Sequence, residues 1–182
     1  MKLCMFTPVE MDLERGWPGR IDGDRVVQLA AQTLQSFFTG GGDAREHAVY
    51  PLTDVVFRAP VLHPPSVRIF DRVDDFRFAN PAAIANPGTE ISIAGAQRLK
   101  RTAAIIGAEG AIGGFASFVE WFAPALPGEK SRDFALELGP VVTTPDEETP
   151  PGDWERQVAH AAENTRLYPG DLIVGFIEAR AA

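Results

Sequence analysis

The sequence predicts an α+β protein with a predominantly β core, on three observations: short strand-like apolar runs outnumber helical stretches, turn signals separate them, and strands and helices follow one another in mixed order. The first strand is Lys2 to Phe6, stopped by Pro8. Gly19 to Leu29 reads as a hairpin, with Asp22-Gly23 suited to the positive φ of a tight turn. Val27, Ala30, Ala31, Leu34 and Phe38 fall at helical spacing, so a helix is expected over Val27 to Phe38, ended by Gly40-Gly41-Gly42. These elements form a small α+β lead-in over residues 1–64, closed by the Pro-rich Leu62 to Pro65 linker. The main domain, 65–182, begins with the strand Val67 to Phe70 and a short helix expected over Asp71 to Ala82. Two strands follow, Ala103 to Gly107 and Ala111 to Trp121, around a glycine turn. Phe134 to Thr143 is a further strand, and Asp153 caps a helix running to Leu167. Tyr168-Pro169-Gly170-Asp171 turns the chain into a last strand, Leu172 to Ile177.

Composition narrows the function. The 182 residues are 45% hydrophobic and 23% charged, ordinary for a globular chain able to bury a core without disulfides. Cys4 is the single cysteine, set between Leu3 and Met5, and reads as a buried core thiol. A formal charge of −8 disfavours nucleic acid, whose phosphates need a cationic face. Arg98-Leu99-Lys100-Arg101 reads as a solvated strand or turn surface. No apolar run is long enough to span a membrane and no signal peptide is recognisable, so a cytoplasmic location is expected.

Several motifs are set aside on context. Gly107, Gly110, Gly113 and Gly114 imitate a dinucleotide fingerprint, yet Phe115 to Val119 after them is strand-like where that motif needs a helix. No serine sits in a nucleophile elbow. His160 and Glu163 share a helix face, too few ligands for a metal. The acidic residues carry more. Asp71, Asp74 and Asp75 follow a strand, and Glu120 ends an otherwise apolar strand, where a carboxylate must be paired, hydrated or functional. A pocket joining Asp75, Glu120, Arg132 and Asp133 is one reading. Solvated strand ends are the other.

Five blocks, in order, resemble the fumarylacetoacetate hydrolase family. They are Pro65-Ser66-Val67-Arg68 with Asp75-Phe76, Ala103 to Gly107, Gly114 to Trp121, Ser131 to Pro140 continued by Thr144-Pro145-Asp146-Glu147, and Asn164 to Ile173 with its Pro169-Gly170-Asp171. The resemblance implies a β-rich, mixed-sheet roll and an ancestry in enzymes that cleave, decarboxylate or isomerise oxo acids with a divalent metal. It places the family's Glu-x-Glu metal ligands on Leu99 and Arg101, its Asp ligand on Glu120, its catalytic His on Ala82, its Lys on Arg132 and a C-terminal Thr on Ile177. Exchanging a carboxylate ~4 Å from a dication for a guanidinium swings the interaction by up to roughly 16 kcal/mol at an effective dielectric near 20. The resemblance therefore implies no metal and no cofactor.

Two functions follow from this pattern. One is metal-independent chemistry on, or binding of, a small oxo acid or β-dicarbonyl compound, with Arg101, Arg132 and Asp133 binding the anionic ligand and Glu120 or Asp75 as general base. The other is a non-catalytic protein of the same fold. A homodimer is expected from the resemblance and from the aromatic residues of Phe115 to Phe122.

Overall fold

The computed structural model describes residues 1–175. In chain order these form β1 (Lys2–Pro8), β2 (Trp17–Asp22), β3 (Arg25–Leu29), α1 (Leu34–Thr39), β4 (Glu46–Pro51), β5 (Val55–Arg58), β6 (Val67–Arg72), β7 (Asp75–Ala79), β8 (Ile84–Ala85), β9 (Gln97–Ile106), β10 (Ile112–Phe122), β11 (Leu136–Leu138), β12 (Val141–Thr143), α2 (Trp154–Ala162) and β13 (Leu172–Val174). All thirteen strands join one sheet, whose main path runs β4-β3-β2-β1-β12-β10-β9-β13-β6-β7. The pairs β13–β6 and β11–β8 are parallel and the rest antiparallel, so the sheet is mixed. Residue 64 falls between β5 and β6, and the sheet continues across it through the pairing of β1 with β12.

Strand alternation explains why several runs are apolar at every position. On β9, Ala103 and Ile105 enter one core while Ala104 and Ile106 enter another on the opposite face. On β13, Leu172 and Val174 join the first core and Ile173 the second. The first core lies under α1, through Leu34, Phe37 and Phe38. The second lies under α2, through Trp154 and Ala161. Cys4 is fully buried in a third cluster with Phe6 and Val26, where burial pushes its thiol up to about 12.

Several sequence expectations hold. The opening strand, the Asp22-Gly23 hairpin (Gly23 has φ of 60°), the β9–β10 hairpin and the Pro169-Gly170-Asp171 turn are all present. Others need correction. The expected helix Val27 to Phe38 is a strand followed by a shorter helix. Val26 and Val27 pair across the hairpin with Ile21 and Arg20, and α1 starts only where Thr33 and Ser36 form a reciprocal capping box. Asp71 to Ala82 is not a helix either: β6 turns back into β7, and Phe70 pairs with Phe76. The strand expected over Phe134 to Thr143 breaks at Gly139-Pro140, where Pro140 has no N–H to donate to a ladder; Gly139 itself sits so close to Ser117 that a Cβ there would meet its Oγ. Helix α2 ends at Ala162, short of Leu167, and Asp153 occupies its N-cap position without a side-chain capping bond. Described strand β13 ends at Val174, and Ile177 lies outside the described residues.

Candidate functional site

Register places Arg101 and Glu120 on one face. Arg101 lies opposite Phe118 and Glu120 opposite Leu99 in the β9–β10 ladder, so the two are diagonal neighbours within reach of long side chains. Strand β13 carries the sheet from β9 to β6, and β7 follows, with Arg77 opposite Ile69. A register shift between Phe70 and Arg72 leaves Asp71 as the extra residue of a bulge, a device that re-aims a side chain. Arg132 arrives separately, just after the short turn Gly128–Ser131, which Ser131 Oγ closes by donating to the Gly128 carbonyl at 2.7 Å.

Three guanidinium groups meet at Glu120, whose side chain is 0% exposed. Arg132 Nη1 donates to Glu120 Oε1 at 2.8 Å, and Arg77 Nη2 donates to the same oxygen. Arg101 Nε faces Oε2 at 3.6 Å, and neither of those two buried atoms has a hydrogen-bond partner among the described residues. The rest of Arg101 is spent on the sheet: Nη1 donates to the Phe70 carbonyl at 2.9 Å and Nη2 to Asp71 Oδ1 at 2.7 Å. Arg77 Nε donates to Asp71 Oδ2 at 3.1 Å. The Arg132 guanidinium lies 4.3 Å from the centroid of the Phe122 ring. Within this group three cations face two carboxylates, an excess of one positive charge.

Burial pushes the Asp71 carboxyl up, but the Arg101 hydrogen bond and the charges of Arg77 and Arg101 outweigh it, and its pKa falls below the ordinary 3.8. Because the folded value is the depressed one, Asp71 contributes stability that is complete above the ordinary pKa and is lost as pH falls through the folded value. Asp71→Asn is therefore expected to lower the melting temperature modestly near neutral pH. The difference from wild type should close in melts carried below pH 3.8. A gap of constant size across that range would contradict the assignment.

Of the residues singled out in the sequence, Glu120, Arg101 and Arg132 come together. Arg101 is 6% exposed, not the solvated strand residue its Arg/Lys-rich neighbourhood suggests, because alternation on β9 separates it from exposed Arg98 and Lys100. Asp75 is not with them. It is exposed at the start of β7 and accepts from Arg72 Nη2 at 3.4 Å. Asp133 pairs with Lys130 at 2.7 Å, and its main-chain carbonyl accepts from Asn80. Among the described residues neither shares a hydrogen bond or an arginine partner with Glu120. Arg77 is the participant the sequence did not reveal. The Asp75-Phe76-Arg77-Phe78 alternation was its signal, hidden by the expectation of a helix. Asp71 was visible as one of three clustered acids, without its role.

No known family profile matches the chain, and no curated protein matches it in sequence. Solved structures do match. Maleylpyruvate hydrolase from Sphingobium sp. SYK-6 superposes with a TM-score of 0.75 at 18% identity, covering 97% of this chain and 88% of that one. A 2-keto-3-deoxy-D-arabinonate dehydratase complexed with magnesium and 2,5-dioxopentanoate matches with a TM-score of 0.75 at 14% identity, covering 100% and 89%. This is the fumarylacetoacetate hydrolase fold. A probable 2-hydroxyhepta-2,4-diene-1,7-dioate isomerase from Mycobacterium abscessus shares it, with a TM-score of 0.71, 15% identity and coverage of 97% and 85%. The α+β, β-rich architecture expected from the sequence is the observed one. Among the described residues no helix is long and apolar enough to cross a membrane.

Proposed function

We propose that the arginine-ringed site binds a small oxo acid or β-dicarbonyl compound through its carboxylate, without a metal. The observation that carries this is the convergence of Arg77, Arg101 and Arg132 on the fully buried Glu120, with one positive charge in excess. Guanidinium groups hold carboxylates by directed, charge-assisted bonds, and here their geometry is fixed before a ligand arrives.

The residues at the positions of the family metal ligands do not fit a hard dication, which needs several oxygen donors. Leu99 offers none. Arg101 stands 3.6 Å from Glu120 Oε2, and two further guanidinium groups share Oε1. A cation placed there would meet three positive neighbours.

Binding without turnover is the reading the geometry supports best. A general base must reach the proton it removes, and Glu120 is sealed from solvent on all sides. Turnover is the second reading, favoured by Asp71: it is 52% exposed and held between Arg77 and Arg101. Its depressed pKa makes it a weak base. The homodimer is proposed on resemblance alone, since Phe115 and Phe118, two of the aromatic residues that suggested it, are buried inside the chain. A cytoplasmic location is likewise a proposal.

Thermal shift with chelator-treated protein tests the binding. The probes are pyruvate and 2,5-dioxopentanoate, the small molecules present in two of the neighbouring structures, with NMR of the same mixtures to detect turnover. Stabilisation with unchanged ligand spectra is expected. Absence of stabilisation by every oxo acid overturns the proposal, and new product resonances move it to the second reading.

A further inference from the structure

Each guanidinium carries five N–H donors, and the three arginines have spent them differently. Arg101 is closed off from a ligand by burial and by its bonds to the sheet, with two donors spent. Two of its nitrogens serve Phe70 and Asp71, the third faces Glu120, and it is almost fully buried. Arg77 has Nε on Asp71 and Nη2 on Glu120, and its Nη1 has no partner among the described residues. Arg132 has only Nη1 engaged, and its Nε and Nη2 have no partner among the described residues. Arg77 and Arg132 are also the two that reach solvent, at 30% and 34% exposure.

Glu120 Oε1 accepts from both, so hydrogen-bond lengths alone hold the two bonded nitrogens within about 6 Å of each other. Each guanidinium is rigid, so the open Nη1 of Arg77 and the open Nε and Nη2 of Arg132 lie one guanidinium's width beyond that pair, on neighbouring groups that a single anion can approach. Phe122 under Arg132 and Asp71 beside Arg77 fix the two planes and limit the rotamer freedom lost on binding.

Building on the proposed oxo-acid site, we propose that Arg77 and Arg132 form a two-guanidinium clamp for the ligand carboxylate, with Glu120 as the positioning residue that sets the clamp. The charge of the group adds a selectivity. One excess positive charge is matched by a monocarboxylate, whereas a dicarboxylate brings one negative charge more than the group offers. The clamp therefore selects a monocarboxylate, which within the proposed oxo-acid site is a 2-oxo or β-oxo monoacid.

Calorimetric titration tests the clamp. Pyruvate, acetate, malonate and sulfate are titrated into wild type, Arg77→Ala, Arg77→Lys, Arg132→Ala and Arg72→Ala. Arg72 lies on the same hairpin, 73% exposed and paired with Asp75, so it controls for loss of surface charge. Pyruvate affinity should fall about a hundredfold in Arg77→Ala and in Arg132→Ala. It should fall less in Arg77→Lys, which keeps the charge toward Glu120 and covers the case in which Arg77→Ala fails to fold. Arg72→Ala should match wild type, and malonate should bind more weakly than pyruvate. If pyruvate binds and Arg77→Ala or Arg77→Lys loses nothing, the clamp is wrong while the oxo-acid site stands. If acetate and sulfate bind as well as pyruvate, and in an Arg77-dependent way, the clamp stands and the oxo-acid reading falls. If wild type binds no anion, both fall.

Discussion

Glu120→Ala is expected to lower stability by about 3–5 kcal/mol, or roughly 6–20 °C in melting temperature for a chain of this size. Glu120 is the only described carboxylate that faces all three guanidinium groups. Removing it turns a site with one excess positive charge into one with two. Arg77 and Arg132, about a third exposed, can swing toward water and recover part of the loss. Arg101 cannot, because its Nη atoms are held by the Phe70 carbonyl and Asp71 of β6 and its side chain is 6% exposed. Its Nε would then face an empty, desolvated space. Glu120→Gln retains an oxygen acceptor and should cost less, since one hydrogen bond survives while the charge is lost. Chemical denaturation of the three proteins checks this order. Equal stability of wild type and Glu120→Ala would mean that the arginines are not held by this carboxylate.

Asp171→Ala is expected to be comparably damaging at a place with no ligand role. Asp171 is 1% exposed and accepts from Ser66 Oγ at 2.6 Å and from the Tyr168 amide at 2.7 Å. Arg68, also buried, faces it at 3.7 Å and lies near the Phe76 and Phe78 rings. One carboxylate thus fixes the turn before β13, the entry to β6 and an inward arginine. Its loss leaves Arg68 as an uncompensated buried cation, a change worth about 3–5 kcal/mol. Asp171→Asn preserves an acceptor and should be milder. The contrast with Glu120 lies in binding: at permissive temperature, folded Asp171→Asn should retain wild-type affinity for pyruvate. Denaturation midpoints together with one titration separate the scaffold carboxylate from the site carboxylate. An unshifted midpoint for Asp171→Ala would contradict the scaffold role.

The parts of the fold legible in sequence are those in which one physical signal dominates. Ala103 to Ile106 is apolar at every position because β10 and β13 flank it and cores cover both faces. Pro169-Gly170-Asp171 marks a turn whose Asp is spent on local bonds. Val27 to Phe38 misled because a short apolar run satisfies both the helical and the strand period, and pairing with β2 decided it. Asp71 to Ala82 misled for a related reason, and the error hid Arg77. Glu120 stood out as a carboxylate in an apolar strand, Arg132 as its companion in a pocket the pattern suggested, and Arg101 through the resemblance. Their meeting could not be read from the chain. It depends on the register of β9 against β10, on β13 joining β9 to β6, and on a bulge that selects Asp71 over Asp75.

In the proposed site guanidinium groups, not a metal, hold the anionic ligand at Glu120. The most direct test is calorimetric titration of pyruvate into chelator-treated protein, repeated after addition of Mg²⁺ or Ca²⁺, with the metals also titrated alone. Metal-free binding of pyruvate is expected, with an affinity unchanged by either cation and no stoichiometric metal site. A one-to-one metal site of micromolar affinity, or pyruvate binding that appears only once metal is added, would contradict it.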